Sequence, residues 1–205
     1  LWGRHTNSNI VGTIIRGNDY GMDFTHGTPQ IDNSQFVNNL RGLKCYYSAP
    51  VINNSEFIGN ELYAINFNYN SMNNPPTITN CNFIQNSQSS ETYVTAAITA
   101  VSGVFPSLVN NNFLLNLNAV GNDDNTNFIG ATENYWGHSS GPYHPSQNSS
   151  GQGDSVNAFV NIDPWLTTPN TDAPPIPAQN LKLDSQTVTS ATFSWDASKI
   201  GDLAG

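Results

Sequence analysis

One eleven-residue pattern recurs along the chain and constrains its fold more than any other feature. The segments PQIDNSQFVNN (29–39), PVINNSEFIGN (50–60), PTITNCNFIQN (76–86) and PSLVNNNFLLN (106–116) share the form P-x-[IL]-x-N-x-x-F-[VIL]-x-N. An earlier copy, SNIVGTIIRGN (8–18), keeps Ile10, Ile15 and Asn18 but carries Gly12 at the first Asn position. The closing Asn falls at 18, 39, 60, 86 and 116, so the spacings are 21, 21, 26 and 30 residues. Self-similarity at such a period is the mark of a repeat architecture. The two longer spacings place extra residues in loops, at SMNNP (71–75) and SQSSET (87–92).

Several columns repeat together. Ile31, Ile52, Ile78 and Leu108 form one apolar column, and Phe36, Phe57, Phe83 and Phe113 form another. Asn33, Asn54, Asn80 and Asn110 form a polar column between them, and Asn39, Asn60, Asn86 and Asn116 close each copy. Each closing Asn is followed by a further short alternating stretch: GMDF (21–24), GLKC (42–45) and YAINF (63–67). Each repeat therefore holds about three short strands separated by Asn- and Gly-rich corners. Helical i, i+3, i+4 periodicity is missing, which argues against a helical solenoid. The Leu framework of leucine-rich repeats is missing too.

A three-strand coil explains these columns physically. Successive coils stack at ~4.8 Å with parallel, in-register pairing. Like residues then stand over one another, and inward Ile and Phe files build a continuous apolar core. Corners need residues that tolerate left-handed backbone, which favours Asn and Gly. Stacked Asn amides can bond along the column, so both Asn columns are expected to act as structural ladders. An exposed first rung is a hydrogen-bonding edge, so further coils are expected before Leu1.

The pattern resembles right-handed parallel β-helix repeat proteins of the pectin-lyase-like superfamily. The closing stretch strengthens the likeness. ENYWGHSSGPYHP (133–145) and GQGDSVNAFVNIDPWL (151–166) carry N-x-W-G, S-G-P, G-x-G-D-x-V and P-W-L in the order common to secreted bacterial members. After PNTDAPPIPAQN (169–180), residues 181–205 resemble the opening of a fibronectin type III domain, with S-A-T-F-S-W as second strand and Trp195 as core tryptophan. A complete domain of that type needs about seven strands, and about two are here.

The expected fold is thus all-β: a right-handed parallel β-helix of about six coils over 1–168, a Pro-rich linker over 169–180 and a truncated fibronectin type III-like segment over 181–205. The resemblance implies an extracellular or cell-surface location, with further domains in the same polypeptide.

Charge narrows the partners. The net charge is −9 with only six Lys and Arg, and charged residues make up 10% of the chain. Phosphate neutralisation requires a basic surface, so nucleic acid is not an expected partner. An anionic membrane surface is disfavoured equally. No apolar run reaches the ~18 residues of a membrane-spanning helix, so membrane insertion is not expected. Cys45 and Cys81 occupy non-equivalent positions in different repeats and are expected as buried free thiols.

The superfamily includes polysaccharide lyases, hydrolases and epimerases, whose chemistry rests on Asp, Arg, Lys or His on one exposed sheet face. Lyases hold Ca²⁺ with several carboxylates, and hydrolases pair carboxylates at defined separations. Little of that is legible here, so no catalytic residue, metal or cofactor is expected; the resemblance leaves Ca²⁺ open, but no set of residues in the sequence supports it. Asp19, Asp23 and Lys44 fit a cross-strand charge pair. Asp123 and Asp124 fit a turn. His26 fits a loop. His138 and His144 lie in the closing stretch, where Trp136 and Trp165 are expected to seal the last rung. Tyr46, Tyr47, Tyr63 and Tyr69 are the candidate glycan-binding residues, with Tyr93 a weaker member, because the C–H face of a sugar stacks on aromatic rings. The reading that follows is a non-catalytic scaffold, adhesin or glycan-associated module, with polysaccharide or cell-surface glycan as partner. The alternative is part of a β-helix polysaccharide lyase, hydrolase or epimerase.

Overall fold

The computed structural model describes residues 2–4, 7–69, 74–89, 96–175 and 179–196. Tyr93, the side chain of Trp195 and most of the two insertions lie outside them. The chain divides into two units, 1–174 and 175–205.

The first unit is a parallel β-solenoid. Strand β1 (Trp2–Arg4) is followed by coils of three strands each. The first two coils are β2 (Asn9–Val11), β3 (Ile14–Arg16), β4 (Tyr20–Gly27) and β5 (Gln30–Asp32), β6 (Gln35–Val37), β7 (Arg41–Ser48). The third is β8 (Val51–Asn53), β9 (Glu56–Ile58), β10 (Tyr63–Asn68). The fourth and fifth are β11 (Thr77–Thr79), β12 (Asn82–Ile84), β13 (Ile98–Val101) and β14 (Ser107–Val109), β15 (Asn112–Leu114), β16 (Val120–Asn122). Short strands β17 (Ile129–Gly130) and β18 (Val160–Asn161) end the unit. Five coils carry three strands each, against the expected six or so; beyond β16, β17 and β18 extend one wall, while the single bridges Asn112–Tyr135 and Val120–Val156 extend the other two.

The walls are three parallel sheets. The first runs β1-β4-β7-β10-β13-β16, the second β2-β5-β8-β11-β14-β17-β18 and the third β3-β6-β9-β12-β15. Ile31 pairs with Ile52, Ile52 with Ile78 and Ile78 with Leu108 across the second sheet. Phe36, Phe57, Phe83 and Phe113 are fully buried in the third, with ring centroids 4.7, 5.0 and 5.0 Å apart and planes within 13°. Trp136 extends the file, 4.6 Å above Phe113. The first sheet contributes Met22, Leu43, Ile65, Ile98 and Val120, with Phe24, Cys45, Phe67 and Ala100 beside them. Where the third sheet turns into the first, space is minimal. A Cβ on Gly42 would stand 2.4 Å from the Ala64 carbonyl oxygen, so only glycine fits there.

The first four coils bend at three left-handed corners each, and the fifth at two. One corner is Gly12, Asn33, Asn54, Asn80 and Asn110, with φ from 47° to 60°. The second is Gly17, Asn38, Gly59, Gln85 and Leu115. The third, after the first sheet, is His26, Tyr47, Tyr69 and Ser102.

The closing asparagines form a one-way ladder. The Nδ2 of Asn39 donates to Asn60 Oδ1, Asn60 to Asn86 and Asn86 to Asn116, at 3.0, 2.9 and 3.1 Å. Each same Nδ2 also donates back to the carbonyl of the preceding aromatic file: Asn60 to Phe36, Asn86 to Phe57 and Asn116 to Phe83. Each Oδ1 accepts the backbone N–H of the preceding Asn as well. The amide is thereby saturated without water. The last member, Asn116, donates its backbone N–H and one Nδ2 proton to Asp154 Oδ2.

The other expected Asn ladder is corrected. Asn33, Asn54, Asn80 and Asn110 make no amide-to-amide bonds to one another among the described residues; they serve as left-handed corners, and Asn33 and Asn54 both donate to Asp32. Their successors do the stacking. Thr13 N–H donates to Ser34 Oγ and Ser34 N–H to Ser55 Oγ; two coils on, Cys81 N–H donates to Asn111 Oδ1 and Asn111 N–H to Asn134 Oδ1. A left-handed residue turns its own side chain outward, so the next one faces the interior.

Of the expected linker, residues 170–174 lie along the third sheet. Asn170 exchanges hydrogen bonds with Asn112 at 2.8 and 3.0 Å, and Asn82 donates to the Pro174 carbonyl. In the second unit, β19 (Gln179–Gln186) and β20 (Ala191–Asp196) pair antiparallel as a hairpin. Its Leu183 and Phe193 are half exposed and Val188 fully so; two strands alone cannot cover them.

Asn86→Ala removes two side-chain donors' worth of bonding and strands the Phe57 carbonyl and the Asn60 amide in a dry interior. The expected loss is ~2–4 kcal/mol, measured as a lowered urea midpoint at unchanged slope.

Candidate functional site

The outward face of the first sheet carries the side chains that the core does not use. Strand alternation puts Asp23, Lys44 and Asn66 in one outward file and Thr25, Tyr46 and Asn68 in the next. At the left-handed corner after them stand His26, Tyr47 and Tyr69. His26 and Tyr47 stack at 5.2 Å and 15°, and Tyr47 and Tyr69 at 5.6 Å and 20°. Tyr46 lies edge-on to both tyrosines, 4.7 Å from Tyr47 and 5.6 Å from Tyr69. In-register coils bring these rings together, since side chains on neighbouring strands sit about one rung apart.

Three of the four expected glycan-binding tyrosines therefore meet, and the fourth does not. Tyr63 opens β10 and pairs in register with Arg41, at the opposite end of the strand. Six residues of strand separate it from Tyr69, roughly 20 Å. Burial raises the Tyr63 phenol above its ordinary range, with the neighbouring Tyr20 adding to the shift and Arg41 opposing it. His26, expected in a loop, is instead the penultimate residue of β4 and a member of the ring file. Its place was hidden because a His and two Tyr at spacings of 21 and 22 do not read as one column.

The charges on this face are matched. Arg41 meets Asp19 at 2.6 Å and also lies over the Tyr20 ring at 4.7 Å. Lys44 meets Asp23 at 3.4 Å and lies 5.7 Å from the same ring. Arg41, Lys44 and Asp23 are partly buried and Asp19 is exposed, so both pairs keep contact with solvent and contribute modestly to stability. What remains along the face toward the corner is amide, hydroxyl and aromatic.

The other candidates have local structural roles. Asp124 Oδ1 accepts from the N–H of Thr126 and Asn127 and from the Thr126 hydroxyl, an Asx turn that holds its carboxyl down at about 2. Asp123 accepts the N–H of Ser102. His144 is fully buried; its Nδ1 accepts from the N–H of Ser146 and Gln147, and burial lowers its pKa. His138 Nδ1 contacts the Ser140 hydroxyl. Among the described residues, no group of three or more His, Cys, Asp or Glu is placed to hold a metal ion. Trp136 is fully buried on the Phe file, and Trp165 lies so close over Gly141 that a Cβ there would stand 2.6 Å from the ring. Cys45 and Cys81 are buried free thiols, and burial pushes the Cys81 thiol up to about 12.

Two buried carboxyls give the fold a pH signature. Burial pushes Asp154 up to about 6, against the hydrogen bonds from Asn116 that pull it down. Burial also raises Glu56, against bonds from Gln35 and Asn82. In both cases the folded chain keeps a proton that the unfolded chain has already released. That contribution to stability is complete below the ordinary carboxylate range and is lost as pH rises through the folded value. Comparison of the chain with protein-family models, curated proteins and solved structures finds no match. Urea midpoints are expected to fall between pH 4 and about pH 6, and Asp154→Asn and Glu56→Gln each to flatten part of that decline.

Proposed function

We propose that the chain is a non-catalytic, glycan-associated module of a larger secreted or cell-surface protein. The observation that carries this reading is the cluster of Tyr46, Tyr47, Tyr69 and His26 at one edge of an exposed sheet. A flat aromatic and amide surface suits a sugar, which offers an apolar C–H face and a rim of hydroxyls. The rigid solenoid beneath lowers the ordering cost of binding. The matched ion pairs support the same reading, since Lys44 and Arg41 are each engaged by a carboxylate and by the Tyr20 ring.

The finer family reading is part of this proposal. The repeat, the NYWG (134–137), SGP (140–142) and PWL (164–166) elements and the solenoid they close support a pectin-lyase-like relationship. The exposed apolar side chains of the hairpin support a fibronectin type III-like beginning for the second unit.

A glycan array followed by calorimetry on the best ligand tests the function. Tyr69→Ala is expected to weaken binding by the ~0.5–1.5 kcal/mol of one lost ring contact, about 2- to 12-fold. Tyr63→Phe, at the far end of the strand, leaves binding unchanged. Release of reducing ends or unsaturated products from any polysaccharide overturns the non-catalytic reading.

A further inference from the structure

The stacked corner locates the sugar more closely than the cluster alone, and this inference rests on the glycan-associated reading above. Within the file, Tyr47 has one face against His26 and the other against Tyr69. Neither face is open to a ligand. Tyr69 is the last ring of the file and is 44% exposed. Register continues past it: Asn68 pairs with Val101, so the next corner residue over Tyr69 is Ser102. Ser102 has the same left-handed backbone, with φ 57° against 50° at Tyr47 and 55° at Tyr69. Among the described residues, no ring stacks on the far face of Tyr69.

The fourth position of the file is thus built by the backbone and left without a ring. Ser102 and Gly103 are exposed, and a Cβ added at Gly103 would meet nothing within 4 Å. Asn68, next to Tyr69, has a buried Oδ1 without a hydrogen-bond donor among the described residues.

The charge around this gap selects among sugars. Asp123 accepts the Ser102 N–H, and Asp124 follows it. Lys44 and Arg41 on the same sheet face are held by Asp23 and Asp19, and Arg4 of β1, in register with Thr25, lies four coils from Ser102. The chain as a whole carries −9. A uronate or sulfated sugar would meet like charge, and the chain carries no Lys or Arg between residues 45 and 181 to compensate.

We propose that one ring of an uncharged polysaccharide binds as the fourth member of the corner file, its C–H face on Tyr69 and its far side toward Ser102. The inserted ring continues the stack that the protein itself begins.

Ser102→Tyr provides the test, because a tyrosine is already carried at this backbone geometry one and two coils earlier. The side chain completes the file and occupies the sugar's place. Calorimetry with cellohexaose, mannohexaose and xylohexaose, against hexagalacturonate, is run on wild type, Ser102→Tyr, Ser102→Ala and Tyr69→Ala. At least one neutral hexamer is expected to bind the wild type at least tenfold more tightly than hexagalacturonate. Ser102→Tyr should lose at least tenfold in affinity with an undiminished unfolding midpoint, Ser102→Ala should keep wild-type affinity, and Tyr69→Ala should weaken it. Wild-type affinity in Ser102→Tyr overturns the location while leaving the glycan reading intact. Preference for hexagalacturonate overturns the charge selection. Failure of the wild type to bind any of these sugars, with no hit on the glycan array, sinks the glycan reading itself.

Discussion

Everything in the solenoid depends on register: a side chain must stand directly over its counterpart one coil away. Only then can Asn39, Asn60, Asn86 and Asn116 each accept from one neighbour and donate to the next. The apolar files tolerate small slips, because dispersion is not directional. The amide file does not, since a shift of one residue would leave every donor facing an apolar wall. The aromatic core supplies most of the driving force, and the ladder decides which arrangement that force selects.

The same register explains which features were legible in the sequence. The Ile, Phe and closing Asn columns keep one residue type or a close analogue in every copy, so alignment of the text aligns the structure. The second ladder was not legible. Ser34, Ser55, Cys81 and Asn111 each donate to the carbonyl two residues back, and Ser34, Ser55 and Asn111 accept a backbone N–H from the coil before, yet two hydroxyls, a thiol and an amide do not read as one column. The neighbouring Asn column drew attention because it is uniform, yet its uniformity reflects tolerance of positive φ rather than stacking.

The candidate site shows the same divide. Strand direction splits the candidate tyrosines: Tyr46 and Tyr47 lie near the end of β7 and Tyr69 just past β10, whereas Tyr63 begins β10. His26 belongs with the first group because its coil ends at the same corner. Chain proximity was a poor guide here, and position within the rung a good one. A solenoid turns a one-dimensional list of residues into files, and any surface function has to be read along those files.

The handedness of the donors in the closing-Asn ladder has an evolutionary consequence. The amide-to-amide bond always runs from Nδ2 to the Oδ1 of the later coil, and the file finishes on Asp154, which has two acceptor oxygens and, when ionised, no proton to pass on. A duplicated coil inserted anywhere before that stop inherits a donor below and an acceptor above, so it joins the column without a mismatch. Growth past the stop has no such continuity. Length in this architecture is therefore set by copying in the middle, with the terminal carboxylate as punctuation.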